Sequence, residues 1–272
     1  MLTNVCFLVR NKERRHMIEN WMIFLGVLLF FIIGFFIFIP RKNYPKNFKD
    51  LWQRFKSYIF LIVVIIIIVA MQLIEINFID NYATAFVGQD YAQFIHSFEG
   101  DQVIWFSQFW IPSVVYFFII IYFIVYIFAL WFTPFSFIFS NERREMKVFT
   151  YGLLLIYLIA LPFYLFFPVT NVYTYYGITS TIEMTVPSIE QFFYSTTTVN
   201  NCFPSLHVTL AIFIAESAWL TKRKLFKYFT AANAVLVIIA VIYLGIHWIS
   251  DVIGGTLLSV GVFLALKHYI KE

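Results

Sequence analysis

Seven long apolar segments constrain this chain more than any other feature of its sequence. A helix that crosses a membrane needs about 20 largely apolar residues, and such segments lie at 21–39, 58–74, 111–133, 148–167, 205–220, 228–246 and 248–266. Only 12% of the 272 residues are charged and 61% are hydrophobic, which leaves too few polar side chains to cover a water-soluble surface. We therefore predict an all-α polytopic membrane bundle of six or seven transmembrane helices. The composition excludes a nucleic-acid-binding domain and an ordinary cytosolic enzyme.

The first apolar segment, 21–39, follows a basic stretch, Arg10–Arg15, as the core of a signal peptide would. It is long for that role, and residues 40–42 (PRK) stand where cleavage requires small residues. We interpret the segment as a retained anchor. The sequence leaves three alternatives open: an N-terminus outside the membrane, a segment that enters and returns on one side, or a start at Met17 or Met22.

The basic residues of the chain are segregated by loop. Lys and Arg of short loops remain on the cytoplasmic side of a membrane. Fifteen of the 19 Lys and Arg residues lie in the loops after the first, third and fifth apolar segments and in the C-terminal tail. The loops 75–110 and 168–204 contain neither Lys nor Arg and carry seven acidic residues. These two loops and the turn near His247 are therefore predicted to face outward from a cell membrane.

Residues 200–207 (NNCFPSLH) join the second outer loop to the fifth apolar segment. Pro204 suits the first turn of a helix, where its missing N–H costs nothing. That turn presents unpaired backbone N–H groups and the positive end of the helix dipole, which together form an anion site. We place the Ser205 hydroxyl and the His207 ring at its rim.

Residues 243–251 (YLGIHWISD) form a second cluster. His247 and Asp251 are four apart and would share a helix face, so that Asp251 accepts from one ring nitrogen and leaves the other for a substrate. Gly254 and Gly255 would let a neighbouring helix approach closely. Both clusters fall at outer ends of their segments. Two histidines and a carboxylate there suit phosphoryl transfer, with one imidazole attacking phosphorus and the other protonating the leaving oxygen.

Three further ionisable residues lie near these clusters or segments. Glu216 is predicted near the inner face, solvated beside Lys222 and without a role. His96 and Glu99 are three apart in the first outer loop and could join the site, although such a pair more often forms the polar face of an interfacial helix. The two cysteines are far apart in sequence, so neither a disulfide framework nor a zinc site is predicted.

Residues 203–207 (FPSLH), followed 40 residues later by His247 and Asp251, resemble the motifs of the type 2 phosphatidic acid phosphatase (PAP2) superfamily. The resemblance covers roughly 110–266, and the FPSLH form with Trp248 after the second histidine is similar to its inositol phosphorylceramide synthase branch. It implies that His247 is the nucleophile and forms a phosphohistidine. It also implies that Asp251 orients His247, that His207 is the general acid and that Ser205 donates to the phosphate, with no metal and no cofactor.

The chain departs from the soluble phosphatases of that superfamily at the basic positions. Those enzymes carry an upstream Lys and Arg-Pro motif and an Arg six residues before the nucleophile, whereas residues 167–172 (FPVTNV) and Val241 occupy these places here. The doubly charged phosphate of a monoester would lack its arginine clamp. The remaining donors are neutral: the first-turn N–H groups, tyrosines, Ser205, Asn171, Asn200 and Asn201. This favours a singly charged diester as the donor and a lipid alcohol as the acceptor.

We predict an N-terminal anchor region with one or two spans (1–76), an outer interfacial segment (77–110) and a catalytic membrane domain (111–267). The predicted function is a phosphotransferase that acts on a phospholipid headgroup at the outer leaflet, with membrane lipids as its partners. One alternative is a lipid phosphate or polyprenyl diphosphate phosphatase of the same superfamily, and another is a non-catalytic lipid-binding protein. A transporter is disfavoured because no polar path crosses the midplane.

Overall fold

The computed structural model describes residues 21–194 and 197–270, apart from the side chains at 188, 191 and 192. This part of the chain contains helices and no β-strand. The helices are α1 (Trp21–Phe38), α2 (Phe48–Ser57), α3 (Ile59–Val87), α4 (Ala92–Glu99), α5 (Gln102–Ser107), α6 (Pro112–Ser140), α7 (Arg143–Phe166), α8 (Val172–Tyr175), α9 (Thr181–Thr185), α10 (Pro187–Tyr194), α11 (Leu206–Trp219), α12 (Lys224–Tyr243) and α13 (Ile249–Tyr269).

Six of these helices are long and apolar enough to cross a membrane: α1, α3, α6, α7, α12 and α13. The helix α11 has 14 residues and is also apolar, but it is shorter than a typical span. The predicted all-α bundle of six or seven membrane helices is therefore confirmed. The short basic stretch 10–15 lies outside the described residues.

The second span is longer than predicted. The apolar pattern indicated a helix over 58–74 and an outer loop from residue 75, whereas α3 continues to Val87. Its charged residues do not end the helix because Glu75 and Asp80 are buried, with exposed fractions of 2% and 3%. The predicted border between 76 and 77 consequently lies inside α3.

The two outer segments pack against each other. The first contains the short helices α4 and α5, and the second contains α8, α9 and α10. The backbone N–H of Tyr91 donates to the Pro168 carbonyl at 2.9 Å. Asp90 accepts hydrogen bonds from the backbone and the hydroxyl of Thr170. These contacts join the start of α4 to the loop after α7.

The centre of the bundle is α11, which packs against α7, α12 and α13. Glycines allow the close approaches, because a Cβ atom on Gly152 would overlap the Phe213 ring. A Cβ atom on Gly255 would lie 2.6 Å from the Ser205 carbonyl oxygen, and one on Gly254 would lie 2.8 Å from the Phe203 ring. The predicted close helix approach at Gly254 and Gly255 is thus confirmed.

The end of the bundle that carries the basic loops is held by paired charges. Arg223 lies 2.6 Å from Glu142 and also donates to the Ser136 hydroxyl. Burial raises the pKa of Glu142 to about 7, and Arg223 opposes that rise.

Glu216 differs from its prediction. It is half-buried rather than solvated beside Lys222, and it accepts a hydrogen bond from the Ser259 hydroxyl at 2.8 Å. The reason is the tight packing of α11 on α13, which turns this side of α11 toward a helix instead of toward water.

Candidate active site

His207 lies in the first turn of α11, directly after a buried cap. Ser205 is the N-cap residue, and its fully buried hydroxyl accepts from the Val208 N–H at 3.4 Å. Pro204 therefore precedes the cap, whereas the sequence placed it in the first turn. Its carbonyl accepts from the Tyr164 hydroxyl at 2.9 Å. These contacts hold the backbone that carries His207.

His247 and Asp251 form the predicted pair, with 3.2 Å between His247 Nδ1 and Asp251 Oδ2. The predicted reason for the contact was wrong, because His247 precedes α13 and does not share a helix face with Asp251. Asp251 is the third residue of α13 and reaches back over its start, where Oδ2 also accepts from the Trp248 backbone N–H at 2.8 Å. A carboxylate on Nδ1 leaves His247 Nε2 as the ring nitrogen available to a ligand.

The packing of α11 on α13 brings the two histidines together. The Ser205 backbone N–H donates to the Asp251 carbonyl at 3.1 Å, which links the two motifs directly. The ring centroids of His207 and His247 are 6.3 Å apart. Tyr122 and Tyr126 of α6 pack on His207, with centroid distances of 4.8 Å and 5.6 Å.

Both histidines line a cavity of about 320 Å³ among α3, α6, α11 and the outer segments. A second cavity of about 60 Å³ adjoins it between α3, α6 and α7 and has an almost entirely apolar lining. The two cavities share five lining residues, Gln72, Leu130, Trp131, Leu206 and Leu210. The histidine cavity therefore continues into an apolar crevice inside the bundle.

The predicted phosphate ligands fall into two groups. Asn171 and Asn201 line the cavity. Asn171 also caps α8 through the Thr174 N–H, and its amide donates to the Tyr194 hydroxyl at 3.1 Å.

Ser205 and Asn200 are not among the described lining residues of the cavity. The Ser205 hydroxyl serves as the cap of α11. The Asn200 amide donates to the Thr84 hydroxyl at 2.6 Å. A phosphate role for these two side chains therefore needs a rearrangement, whereas Asn171 and Asn201 already face the ligand space.

The cavity contains a carboxylate and, among its described lining residues, neither Lys nor Arg. The carboxylate is Glu75, whose Oε1 accepts from the Asn201 amide at 2.9 Å. Leu206 and His207 also line the cavity, and the first turn of a helix leaves their backbone N–H groups without partners inside that helix. The sequence identified the missing cations but not Glu75, because the apolar pattern ended the second span just before it.

Glu99 joins the site in a way that the sequence did not indicate. Its carboxylate accepts from the backbone N–H groups of Ile249 and Ser250, the first two residues of α13. Together with Asp251 on the Trp248 N–H, two carboxylates thus occupy the start of α13. Glu99 is 148 residues from His247 in sequence, so no local pattern could have shown this contact.

His96, the other member of the predicted pair, lies beside Trp248 and is not among the described residues that line the cavity. It is 3.0 Å from Asp101, which also accepts from the Tyr176 hydroxyl. These two hydrogen bonds lower the pKa of the exposed Asp101 carboxyl. The His96 ring packs edge-on against Trp248, with 6.1 Å between centroids.

One group of possible metal ligands occurs in the described part of the chain: Cys202, His247 and Asp251, whose ligand atoms lie within 4.8 Å of one another. Metals bind the thiolate, and burial raises the pKa of the Cys202 thiol well above its usual value. The Nδ1 atom of His247 is already in contact with Asp251. Cys202 is therefore better described as a protonated, packed thiol than as a metal ligand. That the site binds no metal stays a prediction.

A family model of the PAP2 superfamily matches residues 100–265, which is more than half of the chain. The matched region contains both histidines, Asp251 and the capped start of α11. The chain therefore belongs to the PAP2 superfamily. No curated protein and no solved structure matches it. The helices α1 to α4, which include Glu75, lie before the matched region.

Proposed function

We propose that this protein is an integral-membrane lipid phosphotransferase that acts on a phospholipid headgroup at the outer leaflet. The observation that carries the proposal is the cavity, because the paired histidines lie at its polar part and an apolar crevice adjoins it. A phospholipid has the same division between a polar phosphate and apolar chains. Membership of the PAP2 superfamily supports a lipid phosphatase or a phosphotransferase. The FPSLH form further favours the inositol phosphorylceramide synthase branch.

The proposed reaction has two displacements at phosphorus. Nε2 of neutral His247 attacks the phosphorus of the donor, a P–N bond forms, and the bond from phosphorus to the diacylglycerol oxygen breaks. His207, protonated at the start, gives its proton to that oxygen. An acceptor hydroxyl then attacks the phosphohistidine while His207 takes its proton, and the P–N bond breaks. Asp251 keeps the Nδ1 proton on His247 and stabilises the charge that the ring develops.

The absence of Lys and Arg among the described lining residues supports a donor with a single negative charge. The polar residues that line the cavity beside the histidines are neutral apart from Glu75, and they include Asn171 and Asn201. A diester carries one negative charge and needs less compensation than a doubly charged monoester. This supports transfer from a diester, with a lipid alcohol as acceptor.

The outer-leaflet location rests on the distribution of charge. The basic loops lie at one end of the bundle, and the segments 75–110 and 168–204, which contain no Lys or Arg, lie at the end that carries His207 and His247. Basic loops stay in the cytoplasm. The active site is accordingly assigned to the extracytoplasmic face of the cell membrane.

The test uses the purified full-length protein in lipid vesicles. Labelled diester phospholipid, monoester phospholipid and polyprenyl diphosphate are supplied with and without a diacylglycerol or ceramide acceptor, and products are resolved by mass spectrometry. We expect a product that requires the acceptor and disappears in His247→Ala. Free phosphate without an acceptor would instead identify a phosphatase. Lipid binding that survives His247→Ala, with no turnover by the parent protein, would identify a non-catalytic lipid-binding protein.

The dependence of rate on pH tests the roles of the two histidines. His247 must be neutral and His207 protonated at the start, so kcat/KM should rise and then fall as pH increases. The two limbs report the macroscopic titration of the histidine pair. A rate that only rises with pH would remove His207 from the role of general acid.

A further inference from the structure

Two widened helical turns face the active-site cavity. Glu75–Ile79 in α3 and Ile121–Val125 in α6 are π-helical, a rare geometry that is frequent at functional sites. In a regular α-helix, residues five apart point about 140° away from each other. The wider turn in α3 brings Glu75 and Asp80 to one side, where both are buried beside the Asn201 amide.

The buried carboxylate is unexpected in a cavity for a phosphate. Glu75 lines the same cavity as His207 and His247, with an exposed fraction of 2%. An anionic phosphate and a carboxylate would repel each other, and no Lys or Arg among the described lining residues compensates either charge. A partner of opposite sign stabilises a buried carboxylate in its charged form. The ligand itself can supply that partner if it carries a cation as well as a phosphate.

The remaining wall of the cavity suits such a cation. Aromatic side chains line it: Tyr122, Phe123, Tyr126, Trp131, Tyr164 and Phe193. Aromatic faces attract ammonium groups, most strongly when these are quaternary and desolvated. The Tyr122 hydroxyl is buried and has no hydrogen-bond partner among the described residues, although the residue lines the cavity. Its oxygen is thus available to a ligand.

We propose that the cavity selects a zwitterionic donor, a phospholipid whose headgroup bears an amine or quaternary ammonium cation. The cation would lie between Glu75 and the aromatic wall, and the phosphate would lie at the histidines. The headgroup then remains on the phosphate, moves to His247 and passes to the acceptor. This inference rests on the proposed function and names its donor class.

A competition between donors tests the inference. Vesicles contain equal amounts of phosphatidylcholine, phosphatidylethanolamine and phosphatidylglycerol with identical acyl chains, together with a mass-labelled acceptor, and the transferred headgroups are counted by mass spectrometry. The wild-type protein should favour the two cationic headgroups over glycerol by roughly tenfold or more. Glu75→Gln should reduce that ratio by about tenfold. Glu183→Gln, which removes an exposed carboxylate outside the cavity lining, should leave the ratio unchanged.

A second variant guards against misfolding of the first. Trp131 lines the cavity but is 44% exposed, so Trp131→Leu should fold even if Glu75→Gln does not. It should lower the preference for phosphatidylcholine by about threefold, because one aromatic face is lost. Equal use of the three donors by the wild-type protein, or an unchanged ratio in the variants that fold, would overturn the inference.

A binding measurement separates this inference from the proposed function. Native mass spectrometry of the His247→Ala protein with the same three lipids reports headgroup preference without turnover. Preferred binding of the cationic headgroups, lost when Glu75→Gln is added, would support the donor class even if no transfer is found. Transfer without any headgroup preference would retain the phosphotransferase and reject the donor class.

Discussion

The two ends of the helix bundle differ in the partners of their charged side chains. At the end with the basic loops, Arg223 pairs with Glu142, and Arg54 pairs with Asp50. At the other end, the carboxylates of Glu99 and Asp251 accept from backbone N–H groups at the start of α13. Arg223 joins the start of α12 to the start of α7, and Arg54 also donates to the Phe139 carbonyl of α6. Carboxylates at the second end hold a histidine in position.

The charged groups at the two ends of the bundle serve different purposes. An ion pair between loops holds the bundle together but touches no reacting atom. A carboxylate on a helix start contributes less to stability, yet it sets the position of the His247 ring, the proposed nucleophile. Substitutions at the two ends should therefore divide into those that reduce turnover and those that reduce thermal stability.

The largest expected effect is the loss of the nucleophile. His247→Ala should reduce transfer by roughly 10⁴-fold or more, because no phosphohistidine can form. Brief incubation with labelled donor should leave acid-labile, base-stable phosphate on the parent protein. The same variant should show no such label. His268→Ala, an exposed histidine near the other end of α13, should retain both signals. Retained labelling in His247→Ala would place the nucleophile elsewhere.

The next effect concerns the orientation of the nucleophile. Asp251→Asn should lower kcat by roughly 10³-fold, since a neutral amide no longer stabilises the positive charge that develops on the His247 ring. The Trp248 backbone N–H keeps an oxygen acceptor, so the melting temperature should change little compared with kcat. A loss of melting temperature in proportion to activity would show that Asp251 has only a structural role.

A smaller effect is expected at Glu99. Glu99→Gln should lower kcat by roughly tenfold, because one amide oxygen replaces two carboxylate oxygens at the start of α13. Transfer rates and melting temperatures should be compared with those of Asp101→Asn, which removes a nearby carboxylate that bonds to side chains instead of to α13. Equal rates in the two variants would contradict a positioning role for Glu99.

At the end of the bundle with the basic loops, we expect the smallest effect on turnover and a large effect on stability. Arg223→Ala should lower the free energy of unfolding by about 3 kcal/mol, because Glu142 would be left buried without its partner. The rate at a permissive temperature should remain near that of the parent. Lys222→Ala, an exposed neighbour, should change neither quantity. A large loss of turnover in a still-folded Arg223→Ala protein would break the division between the two ends.

One contact in the site could be predicted from local sequence, and others could not. The pairing of His247 with Asp251 followed from their spacing, although the contact arises from a helix cap and not from a shared helix face. Glu75 was missed as part of the site, and Glu99 was named as a possible member without its contact to α13, for a common reason. Their partners, Asn201 and the start of α13, are more than a hundred residues away in sequence.

The sequence by itself determined the class of fold, the segregation of basic loops and the motifs at His207 and His247. It could do so because membrane helices need long apolar segments, and because the Lys and Arg content of each loop can be counted from the sequence. Only the tertiary structure decided where α3 ends, which asparagines face the cavity and that Glu75 shares the cavity with the histidines. Those features depend on contacts between distant helices and on widened turns, which leave no periodic signal in the residues that form them.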